Sequence, residues 1–149
     1  MKLSSKALLT TITLPLLVVG CSQMKSNDNS DAITAADLQN HRWELVNVNG
    51  QDFKPANPKQ RPFLEISEGF RASGSAGCNN FIGQAELNDN QFRIDKMGMT
   101  MKMCIGDVMD FEQAISQALQ NWSDVTLTAD TLTLKTDVNQ LTYKLSELK

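Results

Sequence analysis

Apolar residues follow three rhythms along this chain, and their order lays out the molecule. The first is continuous: from Ala7 to Gly20 only threonines and Pro15 interrupt an apolar run, and Lys2 and Lys6 give it a positive lead. A membrane-spanning helix needs about 20 apolar residues, so this run is too short to remain in a bilayer and reads as an export signal that is removed. The polar, short-sided stretch from Ser22 to about Ile33 cannot bury apolar surface and reads as a flexible tether.

The second rhythm is alternation with period two, the mark of strands with one buried face. After a short helical start for which Thr34 and Asp37 supply a capping pair, Arg42 to Val48 alternates through Trp43 and Leu45. Strands are predicted next at 63–67, 70–75, 81–87, 91–95 and 97–103, separated by Glu68-Gly69, Ala76-Gly77 and Asn88-Asp89-Asn90. Asn49-Gly50 signals a tight turn. Pro55, Pro58 and Pro62 deny ladder donors, so Gln51 to Pro62 is expected to be an irregular loop. A closing three-stranded antiparallel unit is predicted from Val125 and Leu127, Leu132 and Leu134, and Leu141, Tyr143 and Leu145, with Thr126, Thr128, Thr131 and Thr133 on its wet face. The third rhythm has the helical period. Phe111, Ile115, Ala118, Leu119 and Trp122 form one stripe after Gly106-Asp107, which predicts a helix capped by Asp107 and packed on the sheet.

Val18-Val19-Gly20-Cys21 resembles the lipobox of bacterial lipoproteins, with small Gly20 ahead of the cysteine that receives lipid. The chain thereby divides into a lipoprotein signal peptide at 1–20, a lipidated N-terminus and tether at 21–34, and one folded domain at 35–149. Acyl chains on Cys21 add roughly 0.8 kcal/mol of membrane affinity per buried methylene, enough to hold the domain at a bilayer surface without a second anchor. That covalent lipid is the one prosthetic group expected, and no cofactor is predicted. Ser22 stands where lipoproteins kept at the inner membrane commonly carry aspartate, so the expected location is the outer membrane, facing the periplasm. Without Lys2 and Lys6 the exported chain has 12 basic and 17 acidic side chains, a charge of −5 with no basic cluster, which disfavours nucleic acid as a partner. Lipidation of Cys21 leaves Cys78 and Cys104 as an even pair in an oxidising compartment, where a disulfide is the expectation.

Gly77-Cys78-Asn79-Asn80-Phe81, a hairpin, and then Met99-Thr100-Met101-Lys102-Met103-Cys104 ahead of the helix resemble the META domain family. His41-Arg42-Trp43-Glu44-Leu45 with Asn49-Gly50, and Leu132-Thr133-Leu134 with Leu141-Thr142-Tyr143, resemble its opening and closing strands. The likeness runs from about Ala35 to Leu148. It implies an α+β fold: a small antiparallel, partly open, cone-like β-barrel with one packed helix. Gly77, Cys78, Asn79, Thr100 and Cys104 are then the family-motif residues. The resemblance also implies an association with heat stress and with resistance to the antibiotic novobiocin, and a shape likened to pilot lipoproteins of secretion systems. It brings no catalytic residues to transfer.

Cys78 with His41 has the types of a nucleophile and base, but the export signal favours a bonded cysteine and no nucleophile elbow surrounds it. Met97, Met99, Met101 and Met103 would line one face of a strand, a candidate soft site for copper(I); an adaptable apolar face is the stronger reading, since no second histidine supports a metal. Trp43 and Trp122 are expected in the core rather than as ligand platforms. Gly74, Gly77 and Gly83 read as turn chemistry, with Asn79 bonding local backbone groups. Glu65, Glu68, Glu86 and Asp89 read as solvated hairpin edges. The function that results is a non-enzymatic envelope lipoprotein that supports tolerance of heat and of novobiocin-type antibiotics by binding a partner, an envelope protein or lipid. The alternative is a periplasmic carrier whose interior, lined by methionines, Phe81 and leucines, takes an acyl chain, or a copper(I) site.

Overall fold

The structure is a computed structural model that describes residues 32–55 and 61–146. The export signal, the lipobox with Cys21 and nearly all of the tether lie outside the described residues. The elements run α1 (Ala35–Leu38), β1 (His41–Val48), β2 (Gln51–Asp52), β3 (Phe63–Ser67), β4 (Arg71–Ser75), β5 (Asn80–Asn88), β6 (Gln91–Met99), α2 (Val108–Gln120), β7 (Ser123–Leu127), β8 (Thr131–Lys135) and β9 (Gln140–Ser146). Every strand pairing is antiparallel, and β1, β3, β4, β5, β6, β7, β8 and β9 form a ring that closes when β9 pairs back onto β1. The small antiparallel barrel with one packed helix is therefore the observed fold. Its narrowest seam is β6–β7, joined only by Gln91 opposite Asp124 and Phe92 opposite Ser123.

Alternation places one residue in two inside the ring. Trp43 and Leu45, Leu64 and Ile66, Phe92 and Ile94, Leu132 and Leu134, and Leu141 and Tyr143 are all buried there. At about 1.5–3 kcal/mol for each large apolar side chain removed from water, these pairs dominate the stability of the barrel. Thr126 and Thr128 are exposed and Thr131 and Thr133 half-buried on the outer face of the closing unit. Asn49 and Gly50 both adopt left-handed backbone (φ 52 and 83), as do Asp89 and Asn90 (φ 47 and 60), the geometry that matches a two-residue hairpin to strand twist.

Where β6 and β7 separate, α2 fills the wedge, packing mainly on β6 and reaching β1 and β9. Ile115, Ala118 and Leu119 of the stripe are buried, and Phe111 meets Phe53 edge to face at 5.2 Å between ring centroids. Trp122 departs from expectation. The chain leaves the helix at Asn121 (φ −101, ψ 158), so the position eleven residues after Phe111 no longer falls on the stripe, and Trp122 is 37% exposed while Trp43 is 2% exposed. Asp107 occupies the N-cap position with helical backbone and makes no side-chain cap bond. At α1, by contrast, the Asp37 carboxylate accepts from both the backbone N–H and the hydroxyl of Thr34, at 2.8 and 2.7 Å. These bonds hold the Asp37 carboxyl below the ordinary carboxylate range.

Three further differences have local causes. Gln51 and Asp52, expected in a loop, extend the Asn49-Gly50 turn into a two-residue strand against β1. The two runs expected at 91–95 and 97–103 are one strand with a bulge, because Lys96 (φ 50) is an extra residue opposite the Ile82 to Gln84 step of β5, and that strand ends at Met99. Gly74 and Gly83 are not turn residues but lie within β4 and β5, where backbone and ring atoms press close. A Cβ on Gly74 would lie 2.5 Å from Cζ of Phe81, and one on Gly83 would lie 2.3 Å from Cγ2 of Ile94.

Candidate functional site

The five motif residues converge at one end of the barrel, around the loop between β4 and β5. Gly77 adopts φ +112, which a residue with a Cβ rarely tolerates, and it turns the chain so that Cys78 and Asn79 face the start of α2. Cys78 and Cys104 are joined by a disulfide with their Cα atoms 6.1 Å apart. Asn79, only 4% exposed, is the centre of the arrangement. Its backbone N–H and its side-chain amide donate to the two oxygens of the Glu112 carboxylate on α2, each at 2.7 Å. The same amide nitrogen donates to the Lys102 carbonyl at 3.1 Å. Its oxygen accepts from the Thr100 hydroxyl at 2.8 Å and from the Lys102 N–H at 2.6 Å. Thr100 in turn bridges back, its hydroxyl accepting from the Asn80 N–H at 3.1 Å and its N–H donating to the Asn80 carbonyl at 3.0 Å. The side chain of Asn79 therefore does more than bond local backbone: it ties β5, the 100–104 segment and α2 together.

Each even-numbered position of that segment is attached: Thr100 and Lys102 to Asn79, and Cys104 to Cys78. The odd-numbered positions face the other way. Met101, Met103 and Ile105 are 97%, 95% and 95% exposed. The two-residue period of the sequence therefore survives beyond β6, but its apolar side faces water. Beside it, Ile82 is 62% exposed and borders a shallow, mostly apolar surface cleft of about 360 Å³ reaching Phe81 and Met99. Held apolar side chains next to an apolar cleft make a surface suited to contact rather than to bond making.

The methionine stripe is consequently split. Met97 and Met99 pack against the core from β6, while Met101 and Met103 project from the tethered loop, so the four thioethers do not share a strand face. Cys78 and His41 are likewise apart: His41 opens β1 opposite Ile66 and meets the Trp43 ring edge-on at 5.7 Å, and Cys78 is bonded to Cys104. Among the carboxylates read as hairpin edges, Glu65 pairs with Arg42 and Glu86 with Arg93, both half-exposed. Among the described residues no group of three or more His, Cys, Asp or Glu side chains could hold a metal ion, and no helix is long and apolar enough to cross a membrane.

Glu112 is the site residue that the sequence reading misses. Its signal is present all the same: Glu112, Ile115 and Leu119 fall at helical spacing on the buried face, so a carboxylate stands where only a bonded one is stable.

Comparison with known proteins finds relatives at the levels of family, sequence and fold. The model of the META domain matches residues 36–147. Heat shock protein HslJ of Escherichia coli (strain K12) is 37% identical over 139 residues, covering 92% of this chain and 94% of that protein. Among solved structures, an NMR structure of a protein 35% identical superposes with a TM-score of 0.67 over 76% of this chain and 95% of its own. An NMR structure of a protein from Burkholderia xenovorans, 24% identical, superposes at 0.61 over 81% and 97% and shows the shared fold.

Proposed function

The chain belongs to the META domain family, and from that premise we propose that it acts without catalysis, as a lipid-anchored envelope domain that supports tolerance of heat and of novobiocin-type antibiotics by docking a protein partner. The observation that carries this reading is the tethered loop. A disulfide and a buried Asn79–Glu112 pair hold Met101, Met103 and Ile105 out in water; the exposure of these three side chains gains nothing for the isolated domain and suits an apolar partner. The heat-shock name of the 37% identical relative supports the stress setting.

The described chain starts at the opposite end of the β5–β6 hairpin from the loop. Ile33 donates its N–H to Asn90 at the β5–β6 turn, whereas the loop leaves the other end of the same hairpin, about 30 Å along nine-residue strands. The acyl-carrier reading is weaker, because the inward positions of the ring are occupied by the protein's own Trp43, Phe92, Tyr143 and leucines.

The test is a photo-crosslinker placed in cells at Met101, Met103 or Ile105, with exposed Thr126 as the control position. One defined protein adduct from the loop and none from Thr126 is expected, together with loss of adduct and of heat and novobiocin tolerance in the M101S/M103S/I105S variant at normal abundance. Lipid adducts alone, or full tolerance in that variant, would overturn the proposal. Cys21→Ala is expected to release the domain from the outer-membrane fraction into the soluble periplasm.

A further inference from the structure

At the far end of α2 from the disulfide, the chain that leaves the helix forms a second surface, distinct from the methionine loop. Trp122, Gln117 and Asn121 face Asp124 at the start of β7, Lys135 at the end of β8 and Asp137 in the β8–β9 turn, around an open cleft of about 920 Å³. A second cleft of about 450 Å³ shares the Lys135 and Asp137 wall and continues to Asn49 and Gly50. We propose that this surface is an oligosaccharide-binding site in which the indole of Trp122 is the platform.

The indole is preset for that role. The Arg93 guanidinium lies 4.6 Å from the ring centroid on one face, and Arg93 is itself fixed by Glu86 at 2.7 Å. A ring clamped on one side yet 37% exposed offers the rest of its apolar area without an ordering cost at binding. Pyranose rings present a C–H face that suits such a plane and hydroxyls around their rim that need donors and acceptors together. The cleft wall supplies both. Asn121 donates to the Gln117 carbonyl at 2.7 Å, which leaves its amide oxygen to accept. Gln117 accepts from Asn139 at 3.4 Å, which leaves its amide nitrogen to donate. Asp124 accepts from Gln91 at 2.8 Å through one oxygen, with the other available. Lys135 and Asp137 make no ion pair among the described residues. One lysine against two aspartates does not suit a phosphate, and a wall with so few apolar side chains does not suit an acyl chain. The adjoining second cleft favours a ligand of more than one ring.

The test is titration of the folded protein with chitotriose, maltotriose and cellotriose, followed by tryptophan fluorescence. Trp43 is buried, so Trp122 is the reporter. At least one trisaccharide is expected to give saturable binding with a Kd of about 1 mM or tighter. Trp122→Ala should weaken it roughly tenfold, Trp122→Phe less, and Asp137→Asn or Lys135→Ala several-fold, with binding by the alanine variant followed calorimetrically. The near-UV circular dichroism of Trp43 checks that Trp122→Ala still folds, and the Asp137 and Lys135 variants, both on the surface, decide the matter if it does not. No saturable binding by any of the three sugars, or binding that none of these substitutions alters, would overturn the proposal. Because the site is separate from the Met101 loop, neither result bears on the crosslinking experiment.

Discussion

The amide of Asn79 satisfies groups from two segments distant in sequence, and its loss would strand the Glu112 carboxylate in a nearly buried position. Removing one member of such a pair is costly because the other is left desolvated and unpaired. Asn79→Ala is therefore expected to lower unfolding free energy by about 3 kcal/mol in urea titrations, and Glu112→Gln, which keeps one acceptor, by about 1–2 kcal/mol. The glycines inside strands make a parallel case from packing. Gly74→Ala would push a methyl group against the Phe63 carbonyl and the Phe81 ring, and Gly83→Ala one against Ile94, whereas Gly98 has open space around it. We expect the first two to destabilise by about 1–3 kcal/mol or more and Gly98→Ala to change stability by about 0.5 kcal/mol at most, read from the same urea midpoints.

At the scale of elements, the 100–107 segment behaves as a clamp whose two arms are different in kind. The Asn79 network fixes its first half and the disulfide its second, across 26 residues of sequence. A crosslink over a loop of that length contributes on the order of 3 kcal/mol in the chain-entropy model. Reduction, or Cys78→Ser with Cys104→Ser, is thus expected to lower stability by about 2–4 kcal/mol and to open the segment around Met103 to proteolysis while the barrel circular dichroism persists. Cleavage at an unchanged rate after reduction would mean that the Asn79 arm alone holds the loop. The helix α2 is the other decisive element, since it closes the wedge that β6 and β7 leave between them; Ile115→Ala, which opens that contact, should cost about 2–5 kcal/mol.

For the molecule as a whole, closure of β9 onto β1 buries the single tyrosine of the chain, Tyr143, between Leu132 on β8 and Leu45 on β1. Burial pushes the Tyr143 phenol well above its ordinary value of 10.0. The unfolded chain then releases this proton at lower pH than the folded one, so the contribution is intact below about pH 10 and is lost as pH rises beyond it. Phenolate absorbance is expected to appear in one step that coincides with loss of the near-UV signal, and Tyr143→Phe should remove that part of the alkaline lability. A gradual tyrosine titration in a protein that stays folded would show that the ring seam breathes.

Period and turn chemistry are local properties, and the order of residues alone makes them legible: the strand at 63–67, the Asn49-Gly50 turn and the helical stripe through Leu119 all follow from it. Resemblance names the barrel class and the motif through Gly77, Cys78, Asn79, Thr100 and Cys104, but not what the motif holds together. Bond partners across distant segments depend on how the ring closes. Hence nothing local singles out Glu112 as the partner of Asn79, and the Met101–Ile105 alternation has the period of a strand face although the strand stops at Met99. Trp122 has the spacing of a core residue, yet one residue of extended backbone turns it outward. Sequence alone determined which residues prefer to be buried and with what period; tertiary structure decided which of them find a buried place, because a closed barrel has room inside for only one face of each strand.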